Sequence, residues 1–190
     1  MKDRHVCPVW LGYFLANPLR KVVENPSKNL SRLLREGMMV LDVGCAMGFY
    51  SIPMAEMVGP EGKVICVDLQ EKMVTNLIRR ARKKDLHHRI EARVCTETDL
   101  NLSDITGSVD FILAAAVLHE VPDPPSFFLQ LRKVLREGGS LLLLEPGGHV
   151  SRERFRSTVV TAEKQGFLLR EKGMRGLRRS ALFGTAVERD

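Results

Sequence analysis

Hydrophobic residues along this chain fall into short unbroken runs that alternate with stretches where they recur every three or four positions. That alternation reads as five βα units and predicts an α/β fold around a parallel sheet. The first run, Met39-Val40-Leu41, precedes Phe49, Ile52, Met54, Ala55 and Val58, which share one helical face. The second, Lys63 to Asp68, precedes a helix from Glu71 to Lys84 with Met73, Leu77, Ile78 and Ala81 inward. Ile90 to Cys95 alternates as a third strand, and Val109 to Ala114 forms a fourth. Asp123-Pro-Pro opens the next helix, which buries Phe127, Phe128, Leu131, Val134 and Leu135 and ends at Arg136-Glu-Gly-Gly139. Ser140 to Pro146 is a fifth strand, wholly apolar at its centre as a sheet covered on both faces requires.

Residues 1–37 precede the first strand. Asn17-Pro18 and Asn25-Pro26 divide this segment, and Ser27 can cap a helix running through Leu30, Leu33 and Leu34 to Gly37. Its apolar stretch from Val6 to Leu15 suits either a lid over the sheet edge or packing beneath it. The remainder, residues 38–190, is expected to form one globular domain, since 190 residues bury a sizeable single core.

Composition narrows the class. No apolar run approaches the ~20 residues of a membrane span, and the charged start Met-Lys-Asp-Arg-His does not resemble a signal peptide, so the cytoplasm is expected. Lys and Arg number 29 against 23 Asp and Glu, a net charge of +6 that suits acidic partners without requiring them. The basic residues gather at Arg79 to Lys84, where cations complement a helix C-terminus, and at Arg170 to Arg179, expected as a late loop. Both read as solvated faces. Four cysteines stand far apart with no C-x-x-C pair, so neither a zinc site nor a disulfide is expected, and no metal is assigned.

Candidate chemistry begins where the first strand ends. Asp42 is followed by Gly44 and Gly48, a strand–turn–helix that brings bare backbone and a helix start to a ligand at the carboxyl edge of the sheet. The dinucleotide fingerprint G-x-G-x-x-G fails here, because Ala46 and Phe49 occupy two of its three glycine positions. Asp68 ends the second strand twenty positions after Gly48, where nucleoside-binding βαβ units place an acid for the ribose hydroxyls.

The pattern Asp42-x-Gly44-x-Ala46-x-Gly48 resembles motif I of class I S-adenosylmethionine (SAM) dependent methyltransferases, with Ala46 in place of the usual middle glycine. Leu118-His119-Glu120-Val121, Leu135-Arg-Glu-Gly-Gly139 and Leu144-Glu-Pro146 resemble the subfamily around ubiquinone and menaquinone biosynthesis enzymes, over roughly residues 38 to 188. The resemblance implies a Rossmann-like sheet of seven mostly parallel strands, in the order 3-2-1-4-5-7-6, with the last strand antiparallel and helices on both faces. It places a helix at Ser151 to Gly166, strand six at Phe167 to Glu171 and strand seven at Ala181 to Glu188.

It also implies SAM as cofactor, with S-adenosylhomocysteine as product. Asp42, Gly44, Cys45, Ala46 and Gly48 would hold it from the first strand, and Asp68, Leu69 and Gln70 from the second. Thr96, Glu97 or Asp99 would meet the adenine amino group, and Ala115 and Ala116 would admit the methionyl part. His119 is the candidate base, with His149 the second; methyl transfer needs alignment more than acid–base machinery. A small-molecule acceptor is the preferred partner. A nucleic-acid acceptor is not favoured, because the fourth strand ends Ala-Ala-Ala-Val-Leu-His instead of the Asn/Asp-Pro-Pro-Tyr/Phe of exocyclic-amine methyltransferases. A non-catalytic SAM-binding protein is the third reading, and the oligomeric state is left open.

Overall fold

The computed structural model describes residues 25–186. Seven strands form one sheet in the order β3-β2-β1-β4-β5-β7-β6. They are β1 (Met39–Val43), β2 (Lys63–Asp68), β3 (Ile90–Val94), β4 (Val109–Ala115), β5 (Leu135–Pro146), β6 (Leu168–Arg175) and β7 (Arg178–Gly184). All pairings from β3 across to β5 are parallel, and β7 runs antiparallel to both β5 and β6. The expected strand order and the antiparallel seventh strand are both present. Among the described residues five α-helices accompany the sheet: α1 (Pro26–Leu30), α2 (Ser51–Met57), α3 (Glu71–Lys83), α4 (Pro124–Val134) and α5 (Arg152–Lys164).

Alternation along each strand divides the core between the two faces. Leu41, Val43, Ile65, Ile112, Leu141 and Leu143 point to the side covered by Phe127, Phe128 and Leu131 of α4 and Phe155 and Val159 of α5. Val40, Val64, Phe111, Leu113, Leu142 and Leu144 point to the other side, against Ile52 and Met54 of α2 and Leu77 and Ala81 of α3. Burial on both faces is why these strands carry almost no polar residue. Phe128, Phe167 and Phe183 continue the first core edge-to-face, with ring centroids 5.9 and 6.1 Å apart.

Several boundaries differ from the sequence reading. The helix expected from Ser27 to Gly37 is a single short piece that starts at Pro26, where a first-turn proline loses no hydrogen bond. Gly37 then turns away at φ +80° and donates to Val58 O at 2.9 Å, which docks the segment on the end of α2. At the other side of the sheet α4 stops at Val134, and Leu135 already pairs with Val109. Residues 136–139 bulge out with Gly138 at φ +70°, and regular pairing resumes at Ser140, where the sequence placed the strand start.

The larger correction concerns the last two strands. Both reach further toward the hairpin turn than expected, so Arg170 to Arg179 forms most of an antiparallel hairpin instead of a loop. β6 is the sheet edge and is exposed along most of its length, a position that tolerates charge and favours it against edge pairing. β7 begins opposite Pro146, three residues earlier than expected, and ends at Gly184. Residues 1–24 of the expected lid and the last positions of the expected strand seven lie outside the described residues.

Candidate functional site

The chain visits β1, β2 and β3 on one side and then crosses to β4 on the other, so the carboxyl ends of β1 and β4 part at a topological switch point. Open α/β sheets bind ligands in that crevice. Asp42 lies one residue before the end of β1 and is buried. Ser51 Oγ, at the start of α2, donates to its Oδ2 at 2.5 Å. Burial pushes the Asp42 carboxyl up to about 7; the Ser51 bond opposes this and the neighbouring charge of Asp68 adds to it.

After β1 the chain makes a turn held by β2. Gly44 and Cys45 both donate to Val67 O, at 2.9 and 3.1 Å, and Gly48 donates to Cys45 O at 2.9 Å. Gly44 has φ +71°, and a Cβ there would sit 3.0 Å from Val117 Cγ2, so only glycine brings the β4 tip this close. Gly48 has φ +81°, and its missing Cβ leaves room for Leu77 Cδ1. Ala46, at the position where glycine is usual, holds a left-handed φ of +46°. Its N–H donates to Asp68 Oδ2 at 2.9 Å, while Gln70 N–H donates to Oδ1 at 2.9 Å. Burial raises the Asp68 carboxyl above its ordinary value, and these two amides pull it back down.

Asp42, Gly44, Cys45, Ala46, Gly48 and Asp68 are thus gathered at one edge of the sheet. Leu69 follows Asp68 with 38% of its surface exposed, free to lie against a flat ring, and Gln70 caps α3. Thr96 and Glu97 form an exposed turn beyond β3, closed by Thr96 N–H to Asp99 O at 2.9 Å and Asp99 N–H to Thr96 Oγ1 at 3.0 Å. Ala115 ends β4; Ala116 follows at φ +59° and donates to Leu144 O at 2.7 Å. The buried Cys45 thiol is held well above its usual range by the Cys66 thiol beside it and by burial.

The two candidate histidines stand together past the tips of β4 and β5, with ring centroids 5.9 Å apart. His119 Nδ1 lies 2.7 Å from Glu145 Oε2, and Leu118 N–H donates to Glu145 Oε1 at 2.9 Å. Arg154 of α5 donates to His119 O at 2.8 Å. Sequence reasoning missed Ser51, Val117, Arg154 and the pairing of His119 with Glu145. The last follows from strand register: adjacent parallel strands with Ala115 opposite Leu144 bring Glu145 level with the loop that carries His119. Asp85, His87 and His88 also converge within 4.8 Å of one another, but exposed on the α3–β3 turn at the opposite edge of the sheet.

The residues at the switch point fit an adenosyl sulfonium. The Gly44 turn leaves bare backbone, both Asp68 oxygens keep a lone pair for a hydroxyl, and two mutually repelling carboxyls favour a cationic ligand. Comparisons with known proteins agree. A family model described as a methyltransferase domain matches residues 34–172. Over 120 residues the chain is 32% identical to demethylmenaquinone methyltransferase of Listeria welshimeri, an alignment covering 62% of this chain and 50% of that protein. The chain spans half or less of the length of the first curated relatives it matches. A crystal structure of a SAM-dependent methyltransferase from Aquifex aeolicus superposes with a TM-score of 0.85 at 26% identity, over 94% of this chain and 98% of that one. Aeropyrum pernix fibrillarin, solved with natively bound SAM, shares the fold at a TM-score of 0.63 and 18% identity, over 92% of this chain and 76% of that one. A family match across most of the chain, on a sheet with this strand order and this turn, means that the chain belongs to the methyltransferase domain family, in its class I, SAM-dependent branch.

Proposed function

We propose that this chain binds SAM across the tips of β1, β2 and β4 and moves its methyl group to a small-molecule acceptor by in-line displacement. The observation that carries this reading is the pair of acids, Asp42 and Asp68, closing on a turn where Ala46 N–H meets Asp68 at 2.9 Å. In it, Asp68 takes the ribose hydroxyls, Leu69 and Gln70 flank the adenine, and Asp42 faces the cationic end through the turn of Gly44, Cys45, Ala46 and Gly48. Thr96 and Glu97 close over the adenine, and Ala115 and Ala116 leave room for the methionyl chain. The relatives named as demethylmenaquinone methyltransferases support a small-molecule acceptor. Among the described residues no helix is long and apolar enough to cross a membrane.

An RNA acceptor is the second reading. It is favoured by a hollow of about 200 Å³ beside the turn, lined by Arg80, Lys83 and Lys84 over Gly48, Phe49, Ile52 and Pro53. Calorimetry with SAM, followed by transfer of labelled methyl to demethylmenaquinone, to small hydroxylated, amino and thiol compounds, and to RNA, separates the readings. Label in a small molecule supports the proposal. Label confined to RNA, with activity falling steeply as salt rises, replaces it, and absence of SAM binding ends both.

A further inference from the structure

Resting on that methyl-transfer reading, we infer that His119 and Glu145 form a base dyad: Glu145 is a positioning residue, and His119 Nε2 takes the proton of an O–H or N–H acceptor.

Glu145 is 2% exposed, and a buried carboxylate is costly unless its oxygens are bonded. Both are bonded to the same loop, Oε1 by Leu118 N–H at 2.9 Å and Oε2 by His119 Nδ1 at 2.7 Å. An ionised carboxylate only accepts, so the proton between them sits on Nδ1, and the neutral ring keeps its lone pair on Nε2. The loop is fixed on either side of the ring. Val117 packs where a Gly44 Cβ would be, and Arg154 Nη2 holds His119 O at 2.8 Å. The base is therefore tied to the cofactor turn.

Glu120 Oε1 is 3.7 Å from Nε2, beyond hydrogen-bond reach, and the centroid of the exposed His149 ring lies 5.9 Å from that of His119. Among the described residues no hydrogen bond to Nε2 is formed. The charged groups facing the ring are Glu145 from β5, Glu120 from its own loop and Arg154 from α5. The Glu145 bond raises His119 above its ordinary value, burial opposes it, the charges of Glu145 and Glu120 add, and Arg154 subtracts.

The step balances without a further reactant. As the acceptor oxygen or nitrogen attacks the methyl carbon, its bond to hydrogen breaks and the proton passes to Nε2. The acceptor's electron pair forms the new bond to carbon, and the old carbon–sulfur pair remains on sulfur as a neutral thioether. The imidazolium is then stabilised by Glu145. A thiol, already partly ionised near neutral pH, needs no such base, so the dyad matters for hydroxyl-bearing or amine acceptors and not for thiols.

The test uses the full chain, Glu145→Gln, His119→Ala and the double variant. A glutamine that keeps Leu118 N–H on its oxygen turns its NH₂ toward Nδ1 and inverts the tautomer. Ring nitrogen NMR is expected to show Nδ1–H in the wild type with a midpoint above 6.5, and Nε2–H with a lower midpoint in Glu145→Gln. SAM affinity stays unchanged by calorimetry. Methyl transfer to catechol, hydroquinone and tyramine falls about 10²- to 10⁴-fold in each single variant and no further in the double, while transfer to thiophenol falls by less. A wild-type Nε2–H tautomer, an unaltered titration in Glu145→Gln, or additive losses overturn the dyad. Failure of all hydroxyl and amine probes while SAM binds overturns the acceptor class alone. Failure of SAM to bind overturns the underlying reading instead.

Discussion

Asp68 Oδ2 accepts the Ala46 N–H at 2.9 Å, which ties the turn after β1 to the tip of β2 across 22 residues of sequence. One side chain therefore shapes the cradle and, on the proposed reading, contacts the ribose. Asp68→Ala removes both the tie and a charge-assisted acceptor, a bond class worth about 1.5–3 kcal/mol. SAM affinity is expected to fall at least about tenfold by calorimetry, with the cooperative unfolding transition retained. Equal affinity in the two forms removes Asp68 from the site.

Ala46 carries the strain of that turn. A left-handed φ of +46° in a residue with a Cβ costs on the order of 1–3 kcal/mol. Glycine has no such cost but loses about 0.5–1 kcal/mol more to chain entropy on folding. Ala46→Gly is therefore expected to stabilise the chain by about 1 kcal/mol, and Ala46→Val, branched at Cβ, to destabilise it by more. Urea unfolding with an unchanged slope measures both. A glycine variant no more stable than the wild type means the turn holds no strain at this position.

The sheet was legible because burial on both faces writes itself into sequence as unbroken apolar runs, and because Asp42, Gly44, Gly48 and Asp68 mark the two strand tips by kind and spacing. Three things were not. The turn end of the β6–β7 hairpin reads as a loop because Lys172 and Arg175 sit on an edge strand, where no core selects apolar residues. The start of β5 is obscured by the bulge at 136–139, whose glycine and charge look like a helix end. Glu145 stands inside a motif whose neighbours are apolar, and its pairing with His119 depends on strand register, which a one-dimensional pattern does not carry.

Asp42 makes stability and ligand binding depend on pH in opposite directions. Its carboxyl, 3.8 in an exposed chain, is pushed to about 7 by burial, with Ser51 opposing and Asp68 adding. The folded form thus holds the proton more tightly than the unfolded form. The stability this confers is complete below about 3.8 and is lost as pH rises through 7. At about 1.4 kcal/mol per pH unit, the loss is on the order of 2–4 kcal/mol by pH 8. An asparagine side chain is never charged, and its amide oxygen still accepts the Ser51 hydroxyl. Asp42→Asn is therefore expected to match the wild type near pH 4 and exceed it above pH 7. Binding runs the other way, because a cationic ligand favours the ionised carboxyl: SAM affinity of the wild type rises between pH 6 and 8, and the asparagine variant is weaker with no such rise. Unfolding midpoints and calorimetric affinities at pH 5 and 8 decide the matter. A stability gap between the two proteins that is the same at both pH values shows that Asp42 is ionised throughout, and an asparagine variant whose affinity tracks the wild type removes the carboxyl from the cationic end of the cleft.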